Sequence, residues 1–390
     1  MNSRQRLMAI LNKEKGQDRP AWSPLIDGYY LSSLPKDKDI IDVFREINAD
    51  VMERHIFTWN SNFENKKIGV DSYNDNKIEF TENGVIVRKE LRNVEKGTLS
   101  IEEFEIPGHI LTMKSIYTKE SPFIPFPLEH YIKTPDDIEA YIYVKEREKY
   151  TEKFAGFTKE DKRISEYGIA TDTGPTSPIQ LIIQHLTGIE EFYTLFLSDH
   201  PKKLEKLIEV IHQKNIEAYN LIAKSPAKVV INYENTSTTL VSPTIYEKYS
   251  LSYIDDYTDI LHKEDKIYLT HRCGKLKGLV DLLRKGKDDG IVDISPAPTG
   301  DLDIWDALEA WPDKIVQGGL DPTSLTQWSA DKLKDYVNLI LNRANGTDRL
   351  IIGSADATPK DAKFENLKVV GEVIVNAGQS NFKKQDFKEK

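Results

Sequence analysis

The second half of the chain alternates short runs of aliphatic and β-branched residues with longer stretches whose apolar positions recur at helical spacing. AKVVINYE (227–234) precedes SPTIYEKYSLSYIDDYTDILHKE, DKIYLTHRC (265–273) precedes KLKGLVDLLRKG, and GIVDIS (290–295) precedes DIWDALEAW. KIVQGG (314–319) then precedes SADKLKDYVNLILNRANG, and RLIIGS (349–354) precedes AKFENLKVVGEVIVNAG. Five successive strand–helix units demand parallel strands with helical crossovers, in an open doubly wound sheet or a closed barrel. Upstream, RPAWSPLID (19–27), NADVMERHIF (48–57) and EYGIATDT (166–173) offer three more strands. Eight strands, each followed by a helix, favour an α/β fold of the (β/α)8 TIM-barrel type.

Between the second and third strands, residues 60–160 break this rhythm. KIEFTENGVIVRKEL sets Asn83-Gly84 between two alternating runs, a two-residue hairpin signal, so the segment is expected to be a β-rich insertion beside the barrel mouth. Whether it closes over the mouth or forms a homodimer contact stays open. A barrel with insertions absorbs 390 residues in one core, so a single domain is expected over 1–378. The polar ending QSNFKKQDFKEK (379–390) is expected to be a disordered tail.

Composition narrows the function. With 39% hydrophobic and 30% charged residues the chain can build a sizeable core and a solvated surface. A net charge of -10 argues against nucleic acid, whose phosphates require clustered Lys and Arg. No run reaches the roughly 18 apolar residues of a membrane helix, and the opening MNSRQRLMAILNKEKGQDRP has no apolar signal core, so a cytoplasmic location is expected. The single cysteine excludes an internal disulfide and a Cys-only metal cage.

In a barrel the chemistry gathers at the C-terminal strand ends. Those ends carry Asp27, Tyr29 and Tyr30, then His55, Asp172 and Glu234, then His271 and Cys273, then Asp293 and Ser295, Asp321, and finally Ser354 and Asp356. In LTHRCGKLKG, His271 and Cys273 are two residues apart on an extended segment and face one side, while Arg272 faces the other. An imidazole nitrogen and a thiolate sulfur together suit zinc, with Glu234 and Asp356 as further ligands from other strands. The competing reading is a neutral histidine beside a small buried hydrophobe.

The order of motifs over some 350 residues resembles the uroporphyrinogen decarboxylase superfamily, and within it the zinc-dependent corrinoid methyltransferases. SRQRLMAILNKEKGQDRPAW, TDTGPTSPIQL, VSPTIYEKYSLSYI, LTHRCGKLKGLVDLL, QGGLDPTSL and FENLKVV each resemble a segment of that family. Decarboxylases carry substrate-binding arginines on the first strand, whereas WSPLIDGYYL places Leu25 and Tyr29 at those positions. The methyltransferases bind zinc through His-x-Cys and a later cysteine, which aligns here with Asp356 in DATP. The resemblance therefore implies zinc on His271, Cys273 and Asp356, with Glu234 as a supplementary ligand or general base. From their places at the strand ends, Asp172 and Asp321 are expected to be catalytic groups that orient substrate, and Asp27, Tyr29, Tyr30 and His55 groups that bind it. The cofactor implied beside zinc is a corrinoid (cobalamin) on a partner protein; a carboxylate in place of one thiolate makes the site harder, so the expected donor is a small methoxylated or N-methylated compound. A decarboxylase-like lyase with a changed substrate and a non-catalytic corrinoid-binding or small-molecule-binding barrel remain the alternatives.

Overall fold

The structure is a computed structural model that describes residues 1–35, 38–64, 76–122, 124–344 and 347–386. The chain divides into two compact units where the sequence suggests one domain over 1–378. The first comprises Met1–Phe57, Phe154–Gly174 and Pro226–Lys390, and the second Thr58–Lys153 and Pro175–Ser225.

Eight strands organise the first unit: β1 (Ala21–Trp22), β2 (Val51–Ile56), β3 (Gly168–Gly174), β4 (Val229–Tyr233), β5 (Ile267–His271), β6 (Gly290–Ile294), β7 (Ile315–Gly319) and β8 (Leu350–Gly353). All pair in parallel: from β2 to β8 each strand pairs with its neighbour in sequence, and β1 pairs with β8. The two edges, β1 and β2, meet where Asp50 N–H donates to Trp22 O at 2.7 Å and Trp22 N–H donates to the Asp50 carboxylate at 3.1 Å. β1 is short because Pro20 and Pro24 flank it and carry no N–H for the ladder. This strand order, with helices between, is that of a TIM-barrel-like α/β fold.

One buried cluster takes side chains from all eight strands: Ala21, Met52, Ile169, Val229 and Ile231, Ile267 and Leu269, Val292, Ile315 and Ile351. The helix α1 (Ser3–Leu11) adds Leu7, Ile10 and Leu11 to the same cluster. Every second strand residue thus faces this interior, and the residues between them face the helices. Arg6 of α1 reaches the buried Asp50 and the half-buried Asp18, which ties the helix to the strand edges.

The second unit contains a five-stranded antiparallel sheet, in the order Asn76–Glu82, Val85–Val94, Gly97–Ile106, His109–Tyr117 and Phe126–Glu129. Between its first two strands Asn83 and Gly84 take φ values of +49° and +80°, the left-handed pair that a tight hairpin turn requires. The last helix runs over Phe364–Asp386, through much of the stretch expected to be a disordered tail, and residues 387–390 lie outside the described residues. Among the described residues no helix is long and apolar enough to cross a membrane.

Candidate metal centre

β5 ends at His271, and Cys273 follows two residues later on the same side. Asp356 follows β8, and one ligand atom each from His271, Cys273 and Asp356 lie within 4.8 Å of one another. Arg272 points away, fully buried, with Nε donating to Thr270 Oγ1 at 2.9 Å and Nη1 to Thr236 Oγ1 at 2.8 Å. Gly274 is a steric necessity. A Cβ there would lie 2.3 Å from Ser237 Cβ and 2.8 Å from Thr236 O.

The Asp356 segment is pinned from the other side. Ser354 Oγ accepts from Leu25 N–H at 2.9 Å and donates to Asp356 O at 2.7 Å, while Thr358 N–H donates to Leu25 O at 2.8 Å. Between them Ala355 adopts φ +54°, a left-handed turn that delivers Asp356 to Cys273. Asn235 (φ +44°), His55 (φ +61°) and Asp293 (φ +65°) are left-handed as well, so β2, β4, β6 and β8 all carry a non-glycine residue of this kind at or just past their C-terminal ends. Such residues cost on the order of 1 kcal/mol each and gather where a side chain must be aimed.

Behind the three ligand candidates lies a second layer. His271 Nδ1 is 2.6 Å from Asp293 Oδ2, and Asp293 is ion-paired with Arg54 of β2. The Tyr233 ring lies 5.1 Å from that of His271, and His55 stacks on Tyr233 at 4.5 Å. Cys273 Sγ is 3.8 Å from Asn235 Oδ1.

Burial, with the Asp356 carboxylate beside it, pushes the Cys273 thiol well up from its ordinary range. Burial also works against a charge on Asp293, but Arg54 and the His271 hydrogen bond overcome it and hold the carboxyl low. His55 keeps an exposed side chain, yet the protein around it first and Arg54 second lower it to about 4, so it is neutral at physiological pH. The chemistry of the donor set fits zinc: one imidazole nitrogen, one sulfur and one carboxylate oxygen make three protein ligands with a position to spare.

The other residues singled out from the sequence are distributed differently. Glu234, proposed as ligand or base, is fully buried on the opposite side of its strand, where its Oε1 accepts from Asn232 Nδ2 at 2.7 Å and its charge acts on Arg272. Asp172 shares a register level with Val230, whose partner is Tyr268, so it lies on the helix-facing side and bonds to Thr173 N–H at 2.8 Å. Asp321 caps the helix Pro322–Gln327, accepting from Thr323 N–H at 2.9 Å and Thr299 N–H at 3.0 Å. Asp27 caps the short helix Gly28–Leu31 through Tyr29 N–H and Tyr30 N–H, both at 3.0 Å, and its charge reaches His55. Tyr29 packs under Lys360, whose Nζ lies 5.3 Å from the ring centre. Tyr30 is fully buried, and burial raises its hydroxyl to about 12. Arg54, Tyr233 and Asn235 escaped the sequence reading. Their signal was parity, since Tyr233 and Asn235 have the same spacing on β4 as His271 and Cys273 on β5.

The sequence matches the family model "Uroporphyrinogen decarboxylase (URO-D)" over residues 119–376. No curated protein matches it. Among solved structures, a methyltransferase from Methanosarcina mazei superposes with a TM-score of 0.57 at 13% identity, covering 98% of this chain and 99% of that one. A putative vitamin-B12 independent methionine synthase from Listeria monocytogenes matches at 16% identity and a TM-score of 0.33, covering 64% of this chain and 71% of the other.

Proposed function

Because the chain belongs to the uroporphyrinogen decarboxylase family, and because His271, Cys273 and Asp356 converge within 4.8 Å, we propose that it is a zinc-dependent methyltransferase. In this reading it moves a methyl group between a small methoxylated or N-methylated compound and a corrinoid cofactor carried by a partner protein. The observation that carries it is the convergence of the three donors. Bound there, zinc would act as a Lewis acid on the heteroatom that bears the methyl group.

Asp356 in place of a second thiolate makes the donor set harder and richer in oxygen, which favours an oxygen-bound or nitrogen-bound methyl donor over a thiol. His55 is a neutral imidazole whose charge environment includes Asp27, and it suits a hydrogen bond to that donor. Glu234, Asp172 and Asp321 are each hydrogen-bonded to neighbours of their own, and this reading assigns them to holding the strand ends in place. The shared fold with a methyltransferase is compatible with this reading. The lyase alternative is weakened by Leu25 and Tyr29, which follow the first strand where the decarboxylases carry arginines, and by the pairing of Arg54 with Asp293, which leaves that guanidinium committed.

The test is metal analysis followed by a screen of methoxylated and N-methylated compounds with cob(I)alamin, watching for the spectrum of the methylated corrinoid. About one zinc per chain is expected, lost in His271→Ala and Cys273→Ser together with methyl transfer. A metal-free wild type with full activity would sink the proposal.

A further inference from the structure

We infer that Asp293, held in place by Arg54, is a positioning residue that fixes His271 as the Nδ1–H tautomer and so presents Nε2 beside Cys273 and Asp356. The inference rests on the metal-site reading above and adds to it the device that aims one ligand.

The argument begins with register. His271 of β5 pairs with Val292 of β6, and Val292 belongs to the interior cluster. By strict alternation the next residue, Asp293, would face the helices. It does not. The β6–β7 register shifts between Ile291 and Ile294, and Asp293 takes φ +65°, a conformation that few non-glycine residues adopt. The irregularity turns the Asp293 carboxylate back inward, where Oδ2 meets His271 Nδ1 at 2.6 Å. A bulge that re-aims one side chain toward a site is a recurrent use of such irregularities.

A carboxylate without solvent exposure needs a partner, and Arg54 supplies one from β2 with both Nη atoms, the second lying 3.4 Å from Oδ1. Arg54 lies two residues beyond Met52, on the interior side of its own strand. The pair thus stays ionised, and an ionised carboxylate can only accept, so His271 Nδ1 must carry the proton. The lone pair is then confined to Nε2. Ligating histidines are commonly oriented in this way through their other nitrogen, and loss of the orienting group typically weakens metal binding 10–100-fold. Neither Asp293 nor Arg54 is asked to touch the metal or the substrate.

The test uses the full chain, stripped of metal, and reads the His271 tautomer from its ring 15N shifts, with the His271→Ala spectrum for assignment. The wild type is expected to show Nδ1–H. In Asp293→Asn the amide can donate to Nδ1, so His271 is expected to shift toward Nε2–H and zinc affinity to fall about 10–100-fold. Cys273→Ser is expected to lose zinc with no change of tautomer. A wild type in the Nε2–H form, or a folded Asp293→Asn protein with the wild-type tautomer and affinity, overturns the inference. If Asp293→Asn does not fold, the wild-type tautomer together with Asp293→Glu, which keeps an ionised acceptor and should keep Nδ1–H, decides it. A tautomer that responds as expected in a chain that takes up no zinc leaves Asp293 as the group that orients His271 and overturns the metal reading instead.

Discussion

Tyr233 and His271 stand side by side in register across β4 and β5, their rings 5.1 Å apart. That level sets the parity of everything beyond it. Asn235 falls beside Cys273 on the interior side, while Glu234 falls beside Arg272 on the other. An acidic residue at a strand end therefore belongs to a structural network, and an amide one position further on belongs to the site.

Glu234→Gln is accordingly expected to keep zinc at wild-type stoichiometry while lowering stability by about 1–3 kcal/mol, since it weakens a buried polar group beside Arg272. Metal content and urea unfolding on the same samples check it. Loss of zinc in a folded Glu234→Gln protein would place Glu234 among the ligands after all.

Asp356→Cys should retain the metal and shift its preference toward softer ions, because a second thiolate replaces a carboxylate oxygen. Competition between zinc and cadmium measures the change, and cadmium should gain on zinc relative to wild type. Asp356→Ala should bind both weakly.

Much of this was legible in the chain itself. Eight strand positions followed from runs such as VVINY, IYLTH and LIIG, and the alternation of His271 and Cys273 about Arg272 followed from the two-residue period of a strand. Asp356 was reached through the order of family-like motifs, and the structure brings it to the other two. What the sequence hid was parity across strands. Glu234 and Asp172 sit at strand ends with suitable chemistry, but a one-residue difference in register sends a side chain to the opposite face. Asp293 shows the converse. Its strand parity points outward, and only a bulge, which has no signature in GIVDIS, brings it in. Asp321 followed the simplest local rule, an aspartate before proline that caps a helix.

Gly274→Ala should damage both the fold and the candidate site. The added methyl would press on Ser237 Cβ and Thr236 O, so either β4 or β5 must move at its end. A loss of about 1–3 kcal/mol is expected, with zinc affinity reduced because Cys273 is the adjacent residue. Thermal unfolding and metal titration measure the two effects. Unchanged values in both would show that the strand ends yield freely.

Glu53 predicts a pH dependence away from the candidate metal site. It lies on the helix-facing side of β2, where burial first, then the charge of Glu160, pushes its carboxyl up to about 7. In the unfolded chain the same group titrates near 4.5. Below 4.5 both states hold the proton and no difference arises. Between 4.5 and 7 the unfolded state gives up its proton first, so stability falls as pH rises, and above 7 the deficit is constant at on the order of 3 kcal/mol. Glu53→Gln should therefore match the wild type at pH 4 and melt at a higher temperature at pH 8. Equal melting temperatures at both pH values would contradict the burial argument.

The left-handed residues His55, Asn235, Asp293 and Ala355 have a consequence for how the protein can change. Glycine at any of the four would relieve local backbone strain, and at Ala355 it would do so without the loss of any functional side chain, at the cost of one buried methyl. The same exchange would free the hinge that delivers the Asp356 carboxylate. Strain relief and aim pull against each other at this position, and alanine there is a compromise between them.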